Sequence, residues 1–122
     1  MPLSHIWIGV LSEDAPQDFF EEQFEDEDAA VSPFAESQDE HWIDHDFLEI
    51  SWQDETTEAA QLIDGHSWSD SYLDAVVGKA KELGLPKINT FVLCGSEQIM
   101  TPKSVLKNGI DLRFVGTFDC RD

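Results

Sequence analysis

"SDSYLDAVVGKAKELGLPKINTFVLCG", Ser69 to Gly95, is the stretch that decides the fold class. In its first half Tyr72, Leu73, Val76, Val77, Ala80 and Leu83 recur at helical spacing and form one broad apolar face. Ser67 or Ser69 is placed to cap this helix, and Ser67 with Asp70 three residues later makes a capping box. Lys79 and Lys81 lie near the C-terminal end, where the helix dipole favours cations, and Gly84 suits the position just past the end. The pattern then changes to "INTFVLCG", a short apolar run that reads as a strand.

Working outward, "HIWIGVL" (His5 to Leu11) reads as a first, interior strand. The following "SEDAPQDFFEEQFEDED" predicts a helix capped by Asp14, with Pro16 in its first turn and Gln17 at the capping-box position. Phe20 and Phe24 would share a face widened by Phe19, and the helix should fade near Glu25. "AAVSPFAESQDE" reads as a loop broken at Ser32–Pro33 and pinned to the core by Phe34. Residues 43 to 52 read as the second strand, with Leu48, Ile50 and Trp52 on one side and Phe47, Glu49 and Ser51 on the other. "DETTEAAQLIDG" is a short helix or an irregular excursion, with an extra hairpin in residues 53 to 66 left open. Thr101–Pro102 should start a short helix, "PKSVLKN", that stops at Gly109 before "DLRFVGTFDC" forms the last strand.

The expected order is therefore β-α-β-(α)-α-β-α-β. It implies an α/β (α+β) fold with a single sheet of four to five mostly antiparallel or mixed strands and two to three packed helices. A length of 122 residues suits one domain, residues 1–122, and a hydrophobic fraction of 41% is enough for a real core despite the charge.

That charge is lopsided. The first basic residue, other than histidine, is Lys79; of the 26 acidic residues only five follow it. The net charge of -19 thus originates in the front of the chain, which must fold against its own repulsion. A positively charged partner would explain this arrangement; solubility alone is the plainer explanation. Direct binding of nucleic acid or of anionic membranes is disfavoured by the same repulsion. No apolar run reaches membrane-spanning length, and the first residues lack the basic region of a signal peptide, so a cytoplasmic location is expected. Cys94 and Cys120 are expected as free thiols.

His41, Asp44, His45, Asp46 and Glu49 form the densest group of possible ligands or acid–base residues, but no familiar metal spacing is present. A structural or interface role is the stronger reading, with a small metal-dependent enzyme as the weaker one. Asp46 falls on the inward register of its strand and would need hydrogen bonds there. Cys94 at a strand end and His66 beside Trp68 are weak catalytic candidates, and the glycines form no phosphate loop. No cofactor is implied. The acidic–aromatic mixture from Asp18 to Trp42 is a better candidate for binding. Within it and just beyond, Glu21, Glu22, Glu25, Asp26, Glu27, Asp28, Glu36, Asp39, Glu40, Asp54 and Glu55 make the expected partner-facing footprint. Phe20, Phe24 and Phe34 read as core beneath it.

The run "SPFAESQDEHWIDHDFLEI", Ser32 to Ile50, resembles the signature of the immunity protein 22 family. The resemblance rests on Ser32, Pro33 and Phe34, then on Trp42, Asp44, His45, Asp46, Phe47 and Glu49. The opening "HIWIGVL", the Gly65–His66–Ser67 element and the helix and strand after it follow in the family's order, so most of the chain is covered. The resemblance implies a cytoplasmic immunity protein of a polymorphic toxin system. Its partner would be a cognate toxin, expected to be basic and often a nuclease, and the protein would act as a monomer or dimer. The family supplies no catalytic residue to carry over. An acidic, DNA-mimic-like regulator of an endogenous basic protein is the alternative.

Overall fold

The computed structural model describes residues 3–22, 31–43, 48–66, 69–107 and 109–119. Among the described residues five strands form one antiparallel sheet: β1 Leu3–Leu11, β2 Leu48–Glu58, β3 Lys87–Gly95, β4 Val105–Lys107 and β5 Ile110–Asp119. Their order across the sheet is β2-β3-β1-β5-β4. Among the described residues three α-helices accompany them: α1 Pro33–Ser37, α2 Ala59–Ile63 and α3 Leu73–Glu82.

β1 is the central strand, paired with β3 on one side and β5 on the other, which is why Ser4 to Gly9 are all buried. Gly9 is required by this crowding: a Cβ there would lie 1.9 Å from the Asp111 carbonyl oxygen. Side chains alternate across the sheet. Trp7, Leu11, Val92, Cys94 and Leu112 enter one core cluster, while Ile6, Ile8, Phe91, Leu93 and Val115 enter the other. The second strand shows the expected alternation, with Leu48, Ile50 and Trp52 packed on the first cluster.

α3 presents the apolar face that its sequence spacing implied. Tyr72, Val76 and Ala80 are buried, Leu73 and Val77 pack at the margin of the cluster, and Leu83 is exposed. The capping differs from expectation. Tyr72 occupies the N-cap without a side-chain capping bond to the helix, a 3-10 turn at Ser69–Ser71 leads in, and Ser67 lies outside the described residues.

Four local expectations are corrected. Residues 12–22 form turns, not a helix. The Phe19 carbonyl, which a helix would give to residue 23, accepts instead from the Phe34 amide at 2.8 Å. Phe24 and the rest of 23–30 lie outside the described residues. "SPF" starts a helix rather than a loop: the Ser32 hydroxyl accepts from the Ala35 amide at 3.0 Å and Pro33 takes the first helical position, where its missing N–H costs nothing. Residues 53 to 58 continue β2, with a register shift between Trp52 and Thr57, and then 59–63 turn helical, so no hairpin forms there. Finally, Val105–Lys107 is an edge strand, not part of a helix. It pairs back on β5 through a turn in which Gly109 has φ 84°, and only Val105 of the three is buried.

Candidate functional site

The turns of residues 12–22 and the segment 31–43 cover one face of the sheet. Phe34 is its main anchor, buried at 0% exposure, with its ring 5.2 Å from Trp7, 5.9 Å from Phe19 and 5.3 Å from Phe20. Phe20 in turn meets Trp52 at 6.2 Å. Phe19 is fully buried and Phe20 only half-buried, so Phe19 is the stronger core residue of the pair.

α1 and the residues after it are tied to the segment between β3 and β4. The buried Gln38 amide accepts from the Lys103 backbone N–H at 2.7 Å and donates to the Lys103 carbonyl at 2.9 Å. The Trp7 indole N–H donates to that same carbonyl at 3.0 Å. Glu40 accepts from the Met100 backbone N–H at 2.9 Å, and Asp39 pairs with the Lys103 ammonium. Asp39 itself has φ 59°, a left-handed conformation in which aspartate is one of the better tolerated residues. Gln38 was not singled out by its sequence position; a glutamine after an acidic helix gives no signal that it will be buried.

These supports place the expected footprint as follows. Glu21, Glu22, Glu36, Asp39, Asp54 and Glu55 are exposed, and Glu40 is half-buried through its bond to Met100. Asp54 also lines an open groove of about 620 Å³ with Leu11, Ser12, Glu13, Gln17 and Trp52. Glu25, Asp26, Glu27 and Asp28 lie outside the described residues. So do Asp44, His45, Asp46 and Phe47, including the expected buried carboxylate. Of the other signature positions, Ser32 and Pro33 start α1, Phe34 anchors it, Trp42 is 54% exposed, and Glu49 faces the opposite side of the sheet.

On that opposite side Glu49, His66 and Ser51 form a relay. The His66 Nδ1 atom lies 3.0 Å from a Glu49 carboxylate oxygen, and its Nε2 atom 2.7 Å from the Ser51 hydroxyl. An ionised carboxylate only accepts, so Nδ1 carries the proton and, in the neutral ring, Nε2 accepts from Ser51. The His66 ring also packs against Phe91 at 4.5 Å. The bonding pattern is that of a nucleophile relay, but Ser51 sits within β2 opposite Phe91, rather than on the sharp exposed turn that presents a hydrolase serine. Its evident effect is to pin an edge strand to the turn that leads into α3.

Two further candidates, Cys94 and His41, fall within the described residues. Cys94 is a free, fully buried thiol pushed up to about 12 by burial, with the carboxylates of Glu97 and Glu40 adding to the effect. It therefore stays protonated and is a poor nucleophile; Cys120 lies outside the described residues. His41 is exposed. Among the described residues no group of three or more His, Cys, Asp or Glu side chains is arranged to hold a metal ion. Nor, among them, is any helix long and apolar enough to cross a membrane.

Neither a curated protein nor a solved structure matches the chain. The family model described as Immunity protein 22 matches residues 4–120, from the start of the central strand to just beyond the last one. The match takes in both covers of the sheet, including the Ser32 cap, the Phe34 anchor and the Glu49–His66 pair. The chain belongs to the immunity protein 22 family, and the general role that goes with it is neutralisation of a toxin by protein–protein contact.

Proposed function

We propose that this chain is a cytoplasmic immunity protein that neutralises a basic, nuclease-type toxin by direct stoichiometric binding through the acidic cover of its sheet. The supporting observation is the distribution of charge. The chain has no lysine or arginine before Lys79, and Glu21, Glu22, Glu36, Asp39, Asp54 and Glu55 are exposed on or beside one cover. Such a surface attracts a cationic cleft from a distance and pairs with its arginines on contact, while excluding the polyanionic substrate. The protein needs no cofactor for this, touches neither nucleic acid nor membrane, and acts as a monomer or dimer.

The test is co-expression in a sensitive bacterial host with the polypeptide encoded by the open reading frame adjoining this gene. Restored growth and a 1:1 complex are expected. Rescue without a complex would overturn binding as the mechanism. A variant carrying Glu21→Lys and Glu36→Lys should associate about tenfold more slowly at low salt, with a smaller change in dissociation. Capture of an endogenous basic protein, with no protection against the toxin, would point instead to the DNA-mimic-like regulator.

A further inference from the structure

Trp42 and Met100 stand out on the acidic side of the molecule because both are large, apolar and open to solvent, at 54% and 86% exposure. They belong to segments that are far apart in the chain and held together by defined bonds. Glu40, two residues before Trp42, accepts the Met100 backbone N–H at 2.9 Å. Gln38 holds both backbone groups of Lys103, three residues after Met100. The stretch leading to Trp42 is fixed as well: the Glu40 amide donates to Ala35 and the His41 carbonyl accepts from Val31. The two apolar residues are thus carried on one hydrogen-bonded support, which also holds the exposed Glu36, the Asp39–Lys103 ion pair and the Glu40 carboxylate that accepts the Met100 amide.

We infer that Trp42 and Met100 form the apolar anchor of the toxin contact, ringed by Glu36, Asp39 and Glu40. The inference rests on the immunity reading and names the part of the surface that carries the affinity. Binding energy in protein interfaces concentrates in a few desolvated side chains, with tryptophan the most enriched, while surrounding charges steer and exclude water. A tryptophan face also takes an arginine guanidinium by cation–π stacking, and a methionine side chain adapts to an irregular recess. The complementary partner is a protein surface with an apolar recess rimmed by arginine and lysine. A surface of carboxylates alone would be satisfied by any cation; the apolar centre requires a shaped partner.

The experiment measures binding of the purified polypeptide from the adjoining open reading frame to the wild-type chain, Trp42→Ala and Met100→Lys. Thermal unfolding of each variant is recorded alongside. Met100 is 86% exposed, so the melting temperature of Met100→Lys should stay near that of the wild type, and the Trp42→Ala curve shows that this variant is folded where binding is measured. Trp42→Ala should weaken binding by about 30-fold, mainly through faster dissociation, as expected for a central aromatic anchor. Met100→Lys should weaken it by at least about tenfold, because it places a cation against a basic recess. Wild-type binding with both folded variants equally tight would overturn this inference and leave the immunity reading intact. No binding by the wild-type chain would overturn the immunity reading and the anchor with it.

Discussion

On one face of the sheet α2 and α3 lie over Ile6, Ile8, Phe91 and Leu93; on the other, the turns of residues 12–22 and the segment 31–43 lie over Trp7, Leu11, Val92 and Leu112. The helical cover satisfies most of its own backbone internally and can pack with modest side chains such as Val76, Ala80 and Ile63. The irregular cover lacks that repeating pattern. It is held by large aromatic rings meeting around Phe34 and by side chains that bond to backbone, notably Ser32, Gln38 and the Trp7 indole. The comparison teaches that a charged, aperiodic segment can be fixed on a sheet when a few deep anchors replace periodicity. Its outer surface is then free to carry carboxylates.

The sharpest way to break this comparison is to remove the sheet side chain on which the Phe34 anchor packs. Trp7→Ala should cost about 3–5 kcal/mol in a urea titration through lost burial and the lost indole bond to Lys103. Amides of residues 31–43 should lose hydrogen-exchange protection before those of α3; simultaneous loss would mean that the two covers do not stand independently. A smaller effect is expected on the helical side. His66→Ala removes a half-buried link from Glu49 and Ser51 and should cost about 1–2 kcal/mol, with faster exchange in β2. An unchanged melting curve would show that the relay does not hold the edge strand.

Ser32→Ala tests the cap that starts α1 and should cost about 1 kcal/mol, while α3, which has no side-chain cap, provides no equivalent site. The last effect is nil at neutral pH. The Cys94 thiol is held protonated up to about 12 by burial, whereas in the unfolded chain it ionises near its ordinary value of 9.0. Above pH 9 the unfolded state therefore binds fewer protons than the folded one, and stability falls as pH rises toward 12. Cys94→Val should lessen that fall relative to wild type in parallel pH titrations of unfolding. Identical slopes would place the thiol in a more polar site than its full burial implies.

The helical cover was legible because its signals are local. Apolar residues at helical spacing from Tyr72 to Leu83 identify α3, and the unbroken runs at His5–Leu11 and Ile88–Gly95 identify two inner strands. Glu21, Glu36 and Asp54, of the proposed footprint, were legible as surface because a run of acids with no neighbouring bases in the sequence has no place in a core. The irregular cover was misread wherever a distant backbone partner outweighed local preference. Phe34 takes the Phe19 carbonyl and so ends the expected helix, and β5 draws Val105–Lys107 into the sheet.

Two buried amides show the same division. Asn89 pairs through its side chain with the backbone N–H and carbonyl of Leu11, at 2.8 and 2.7 Å, and Gln38 does the same for Lys103. Neither had a signal in sequence, since each is defined by a partner more than sixty residues away. What the sequence by itself determined is therefore the mixed α/β class, the inner strands, the principal helix, the charge asymmetry and the family resemblance, because periodicity and composition act over neighbouring residues. The tertiary structure alone decided which backbone groups each irregular segment would find, and with them the cap at Ser32, the edge strand at Val105 and the bond that ties the Trp42 segment to Met100. Those depend on hydrogen-bond partners brought together only when the sheet closes.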